Sequence, residues 1–126
     1  MQLAELLRQR IEAGDLEPGS ALPSEARLTQ EYGIGREAVR MGISLLRSEG
    51  LVRTVRGHGS YVREATQRRK VELVAGGSVI ARMPTGRERQ SLNLDEGVPV
   101  LEVRDVQGGV EVLPGDEVEL TRPRSE

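Results

Sequence analysis

Arg36 and Arg40 stand four residues apart with Glu37 between them, and further on the chain reads Arg56-Gly57-His58-Gly59. On a helix, that spacing puts both guanidinium groups on one face, a single turn apart. A guanidinium stays charged and offers a planar fork that matches the O6 and N7 of guanine or the oxygens of a phosphate. Glu37 has the chemistry either to accept from a cytosine amino group or simply to orient an arginine. Gly57 and Gly59 allow a loop tip to approach a sugar-phosphate backbone closely, with Arg56 and His58 reaching phosphate or the minor groove. All of this suits a polyanionic duplex. Nothing comparable suits catalysis. The chain has no Cys and one His, and it lacks both a phosphate-cradling P-loop and a serine elbow. No catalytic residue, metal site or cofactor is therefore expected.

The elements that must hold these residues are readable from the pattern. Leu3, Leu6, Leu7 and Ile11 follow helical spacing, and Gly14 offers a stop. Pro18-Gly19 signals a turn, and Leu22-Pro23 leads into Ser24, an N-cap for a second helix that Gly33 ends. A third helix is expected from about Gly35 to Ser48. Its arc of Ala38, Val39, Gly42, Ile43, Leu45 and Leu46 reads as core, and Arg36, Arg40, Ser44 and Arg47 occupy the opposite arc. Gly50 closes that helix, and Leu51–Arg56 with Ser60–Arg63 form two strands around the Gly-His-Gly tip. Two helices joined by a tight turn, with a helix before them and a hairpin after, make a winged helix-turn-helix.

Charge is distributed to match. The net charge is −2, yet residues 34–70 hold 9 basic against 3 acidic residues, while residues 71–126 hold 6 against 11. Positive charge gathered on one third of a mildly acidic chain directs that third toward a polyanion. With 37% apolar and 2% aromatic residues in 126, the cores must be small and built from Leu, Val, Ile and Ala. The absence of Cys excludes disulfides and fits a reducing compartment. No apolar run approaches the roughly 18 residues of a membrane span, and the amphipathic, partly acidic start does not read as a secretory signal. A cytoplasmic protein with no membrane partner is expected.

The stretch GDLEPGSALPSEARLTQEYGIGREAVRMGISLLRSEGLVRTVRGHGSYV closely resembles the DNA-binding domain of GntR-type bacterial transcription regulators. Those domains show a G-[DE]-L-x-P-G-x-x-L-P-S-E entry, a V-[ST]-R-x-x-V-R recognition helix and an R-G-x-G-[ST]-[YF]-V wing. The match spans about residues 3–63 in order and without gaps. By this resemblance Arg36 and Arg40 take the places of the recognition arginines, Gly57 and Gly59 those of the wing-tip glycines, and Arg56 that of the basic residue before them. The expected DNA-facing set is Ser24, Arg27, Gly35, Arg36, Glu37, Arg40, Arg56, Gly57, His58 and Gly59. Two places depart from the family pattern. Ala26 stands where an arginine often contacts phosphate, with Arg27 one position later and turned by about 100°. Gly35 stands where Ser or Thr is usual. The first helix begins abruptly at Met1, where relatives usually have several more residues, so a short start is expected.

The expected organisation is α+β. A winged helix-turn-helix domain over residues 1–66 is followed by a basic linker, 67–70, and a small, mostly β domain, 71–126. In that last part, strands are expected over Lys70–Ala75 and Ser78–Met83 about a Gly76-Gly77 tight turn. A short helical stretch follows Pro84-Thr85. Val98–Val106 and Val110–Leu113 are expected to form a hairpin, and Glu117–Thr121 a last strand. ARMPTGRERQSLNLDEGVPVLEV resembles the start of the effector-binding (UTRA) domain in the HutC branch of these regulators, where it opens a much larger α/β domain. This segment, without one aromatic residue, is short of walls for a pocket of about 300–1,000 Å³. Dimerisation is its expected use, with room for a small-molecule effector between subunits. The function these readings support is a sequence-specific regulator, a repressor, binding a short inverted repeat as a homodimer. The alternative is a non-catalytic adaptor whose winged domain binds protein or RNA. The basic balance speaks against a protein partner, and the scarcity of aromatics against single-stranded RNA.

Overall fold

A computed structural model describes residues 3–64 and 67–123. The chain divides into two compact units, Met1–Ala65 and Thr66–Glu126. The first holds α1 (Leu3–Glu12), α2 (Glu25–Tyr32), α3 (Arg36–Ser48) and a hairpin of β1 (Val52–Val55) and β2 (Gly59–Val62). Leu3, Ala4 and Leu7 of α1 meet Leu28 of α2 and Val39, Ile43 and Leu46 of α3 in one core, which Leu16, Leu22, Val52 and Val62 complete. Gly42 sets how closely α1 and α3 can cross. A Cβ at that position would stand 3.0 Å from the Leu3 Cβ and 3.3 Å from the Ala4 nitrogen. Arg8 of α1 also donates to both carboxylate oxygens of Glu49, at 2.7 and 2.9 Å, just past the end of α3.

The buried arc of α3 is narrower than its apolar pattern suggests. Val39, Gly42, Ile43 and Leu46 are buried, but Ala38 is exposed and Leu45 is 44% exposed. α3 packs against α1, α2 and β1, and the buried residues lie on one side of that arc, with Ala38 and Leu45 together on its other edge. The hairpin is anchored on its inner edge by the segment before α2. The Gly19 N–H donates to the Val62 carbonyl (2.8 Å), the Leu22 N–H to that of Ser60 (2.8 Å), and Val62 N–H to that of Ser20 (2.9 Å).

The second unit contains β3 (Arg69–Glu72), β4 (Ser78–Arg82), α4 (Gly86–Ser91), β5 (Val100–Arg104), β6 (Val110–Pro114) and β7 (Val118–Thr121). Strands β4, β5 and β6 form an antiparallel sheet, while β3 pairs in parallel with β7. The expected hairpin about Gly76-Gly77 is therefore not formed. A turn does exist there, closed by a 2.9 Å bond from the Gly77 N–H to the Val74 carbonyl, but the strands on either side enter different sheets. Its signal was local, whereas the β3 partner lies far along the chain, with Lys70 in register with Glu119. The stretch read as a basic linker is likewise part of this unit. Arg69 and Lys70 begin β3, and Arg68 donates to the carbonyls of Gly115 (2.8 Å) and Val118 (2.9 Å). Val98, Val100, Leu113 and Val118 are its buried apolar side chains.

An ion network links the sheet to α4. Arg82 on β4 pairs in bidentate fashion with Glu88 on α4 (2.7 and 2.8 Å) and reaches Glu102 on β5 at 3.3 Å, and Glu102 also holds Arg104. Glu88 completes a capping box with Thr85. The Arg82 hydrogen bonds, helped by the Thr85 N–H, hold the Glu88 carboxyl down at about 2. Arg104 first, then Arg82, lowers that of Glu102.

Candidate nucleic-acid interface

The turn between α2 and α3 is built from backbone chemistry that the sequence dictates. Ser24 adopts an extended conformation and its hydroxyl accepts from the Arg27 N–H at 3.1 Å, satisfying one of the free donors at the start of α2. Gly33 ends that helix at φ 63°, a left-handed conformation that costs glycine little. Gly35 then caps α3 with no side-chain bond, so its first-turn N–H groups face outward without a hydroxyl across them. That end carries the positive pole of the helix dipole.

Arg36, Glu37 and Arg40 are all exposed on α3. Arg40 is not a loose side chain. Its Nε donates to the Glu25 carboxylate on α2 at 3.2 Å, and its Nη1 lies 3.7 Å from Glu37. The Glu37 carboxylate is 85% exposed, so its contact with Arg40 is a loose ion pair. Glu25 is the closer partner, and the sequence reading missed it. Its signal was an acidic residue in the first turn of α2, and no spacing rule connects that position with a residue on the next helix. A pair this exposed contributes about 0–1 kcal/mol to stability.

The wing tip is a tight turn closed by the His58 N–H on the Val55 carbonyl at 2.9 Å. Gly57 (φ 83°) and Gly59 (φ 108°) both take conformations that disfavour a Cβ, and Arg56 and His58 are exposed beside them. A groove of about 590 Å³ separates α3 from the wing. Ser24 and Glu25 line one end, Arg40, Ser44 and Arg47 the α3 wall, and Thr54, His58, Gly59 and Ser60 the wing wall. The fold thus brings Ser24, Arg40, His58 and Gly59 of the expected set around one concavity. Arg27, Gly35, Arg36, Glu37, Arg56 and Gly57 lie outside its lining. Arg47, Thr54 and Ser60 were not in the expected set, although Arg47 falls on the same helical arc as Arg40. Among the described residues, no helix is long and apolar enough to cross a membrane.

Residues 1–62 match the family described as bacterial regulatory proteins, gntR family. The mannosyl-D-glycerate transport/metabolism system repressor MngR of Escherichia coli is 38% identical over 63 residues, which is 50% of this chain and 26% of that protein. The HTH-type transcriptional repressor NagR of Bacillus subtilis is 39% identical over 61 residues, 48% of this chain and 25% of that protein. The chain thus spans about a quarter of the length of these curated relatives. Among solved structures, AraR(DBD) in complex with operator ORR3 aligns at 33% identity over 48% of this chain and 72% of that one, with a TM-score of 0.47.

Proposed function

We propose, on the premise that residues 1–62 are a helix-turn-helix domain of the gntR family, that the chain is a sequence-specific DNA-binding transcription regulator acting by binding alone. The observation that carries this is one groove with Arg40 of the third helix on one wall and His58 of the wing on the other. In this reading α3 enters the major groove by its N-terminal half. Arg40 pairs with a guanine edge and Arg36 with a base or a phosphate. Glu25 and Glu37 hold the Arg40 fork in position until the base takes it. Arg56 and His58 reach the backbone or the minor groove from the wing, Ser24 and the bare N-terminus of α3 at Gly35 meet phosphate, and Arg27 stands beside them.

Repression by steric blocking is the mode we assign, supported by relatives named as repressors. The chain works in the cytoplasm as a homodimer on a short inverted repeat, with residues 71–126 as the dimerisation module. The scarcity of buried apolar residues in that unit supports an external partner surface. Selection of bound fragments from random or genomic duplexes tests the reading. An enriched inverted repeat with guanine at a fixed place in each half-site is expected, and recovery of no preferred sequence overturns it. Dimerisation through the second unit predicts that a chain ending at Ala65 is monomeric and binds that repeat much more weakly. A fully dimeric shortened chain contradicts it.

A further inference from the structure

The wing end of the groove holds a cluster that the expected DNA-facing set does not include. Arg47, in the last turn of α3, donates from Nη1 to the Thr54 hydroxyl at 3.2 Å. The Thr54 and Ser60 hydroxyls lie 2.9 Å apart, on residues that are register partners across β1 and β2. Ser44 lines the same wall one helical turn before Arg47, and Glu25 lines the Arg40 end. Arg47 and the hydroxyls of Ser44, Thr54 and Ser60 are thus gathered at one end of the groove, and because one of the Thr54 and Ser60 hydroxyls donates to the other, that pair keeps one proton to donate onward.

We infer that Arg47, Thr54 and Ser60 form a seat for one DNA backbone phosphate, in the groove between α3 and the wing. The inference rests on the duplex-DNA reading above and adds a specific phosphate contact to it. A helix in the major groove and a wing tip on the adjoining minor groove have a single sugar-phosphate strand running between them. That strand must pass through this groove. A guanidinium with a hydroxyl donor beside it matches the oxygens of a phosphodiester. The bond from Arg47 to Thr54 holds the fork at the wing wall before DNA arrives, so little side-chain freedom is lost on binding. Such a contact positions the protein and carries no base preference.

The test combines protein variants with single-site neutralisation of the DNA, using the full chain and the duplex recovered by selection. Arg47→Ala is expected to weaken cognate and unrelated duplexes by the same factor and to lower the salt slope by about one unit. Arg47→Lys should keep the slope, and Thr54→Val should weaken binding while leaving the melting temperature unchanged. A scan with one methylphosphonate at a time should find a single position per half-site that weakens the wild type several-fold. At that position the neutral linkage should have no further effect on Arg47→Ala. If the wild type binds a selected duplex but Arg47→Ala leaves the slope unaltered, or every methylphosphonate effect multiplies with the variant, the seat is wrong and the DNA reading stands. Failure of the wild type to bind any duplex overturns both.

Discussion

The two units of this chain reach order by different means. In the first, apolar side chains from three helices, the connecting loops and the hairpin form one continuous cluster, and every polar feature of the candidate interface is mounted on that scaffold. In the second, a three-stranded sheet and a separate parallel pair enclose few fully buried side chains. Backbone pairing and the network from Glu88 through Arg82 to Glu102 and Arg104 connect its elements instead. A rigid apolar scaffold suits a surface that must hold arginines in fixed register with a duplex. A unit poor in core and rich in exposed Ile80, Met83, Val106 and Val110 suits surfaces that are completed by something else.

That contrast can be broken at several points. The largest expected effect is in the first core. Leu46 is fully buried, so Leu46→Ala should cost about 2–5 kcal/mol of stability. Both tyrosines, Tyr32 and Tyr61, are in this unit. Tyrosine absorbance during denaturation therefore reports it alone and should show the whole loss, while NMR signals from residues 67–123 stay in place. Loss of both sets together would mean that the units fold as one. A smaller effect concerns the wing. Arg56→Ala should leave stability within about 0.5 kcal/mol, weaken all duplexes alike and lower the salt slope by about one unit. An unchanged slope would put Arg56 away from phosphate.

The smallest effect is confined to the second unit and appears in acid. The Glu88 carboxyl is held at about 2 against an ordinary 4.5, and that of Glu102 is lowered as well. A depressed carboxyl contributes its full stabilisation above its unfolded value and loses it as the pH falls toward the folded one. NMR signals of α4, β4 and β5 should accordingly weaken between about pH 4.5 and 2, and Glu88→Gln should remove much of that acid dependence. A variant with the same acid profile as the wild type would show that the network contributes nothing.

The first unit was legible because its signals are local. Ser24, Gly33, Gly50 and the Gly57–Gly59 tip each need only a few neighbouring residues to specify a cap or a turn, and the exposed side of α3 follows from helical period alone. What the sequence obscured depends on contacts between distant segments. Ala38 and Leu45 share the apolar arc of α3, yet both are exposed. The turn at Gly76 was visible, whereas the parallel pairing of Val71 with Leu120 was not. Glu25 beside Arg40, and Arg47 beside Thr54, likewise depend on how α2, α3 and the hairpin approach one another.

If α3 reads duplex DNA through Arg40, the decisive experiment titrates the wild type and Arg40→Ala against the selected duplex and a full set of its single-base-pair variants at fixed salt. Arg40→Ala should lose about 1–3 kcal/mol on the cognate site, with selectivity erased at one base pair per half-site and kept at the others. Equal selectivity at every position in both proteins would contradict it.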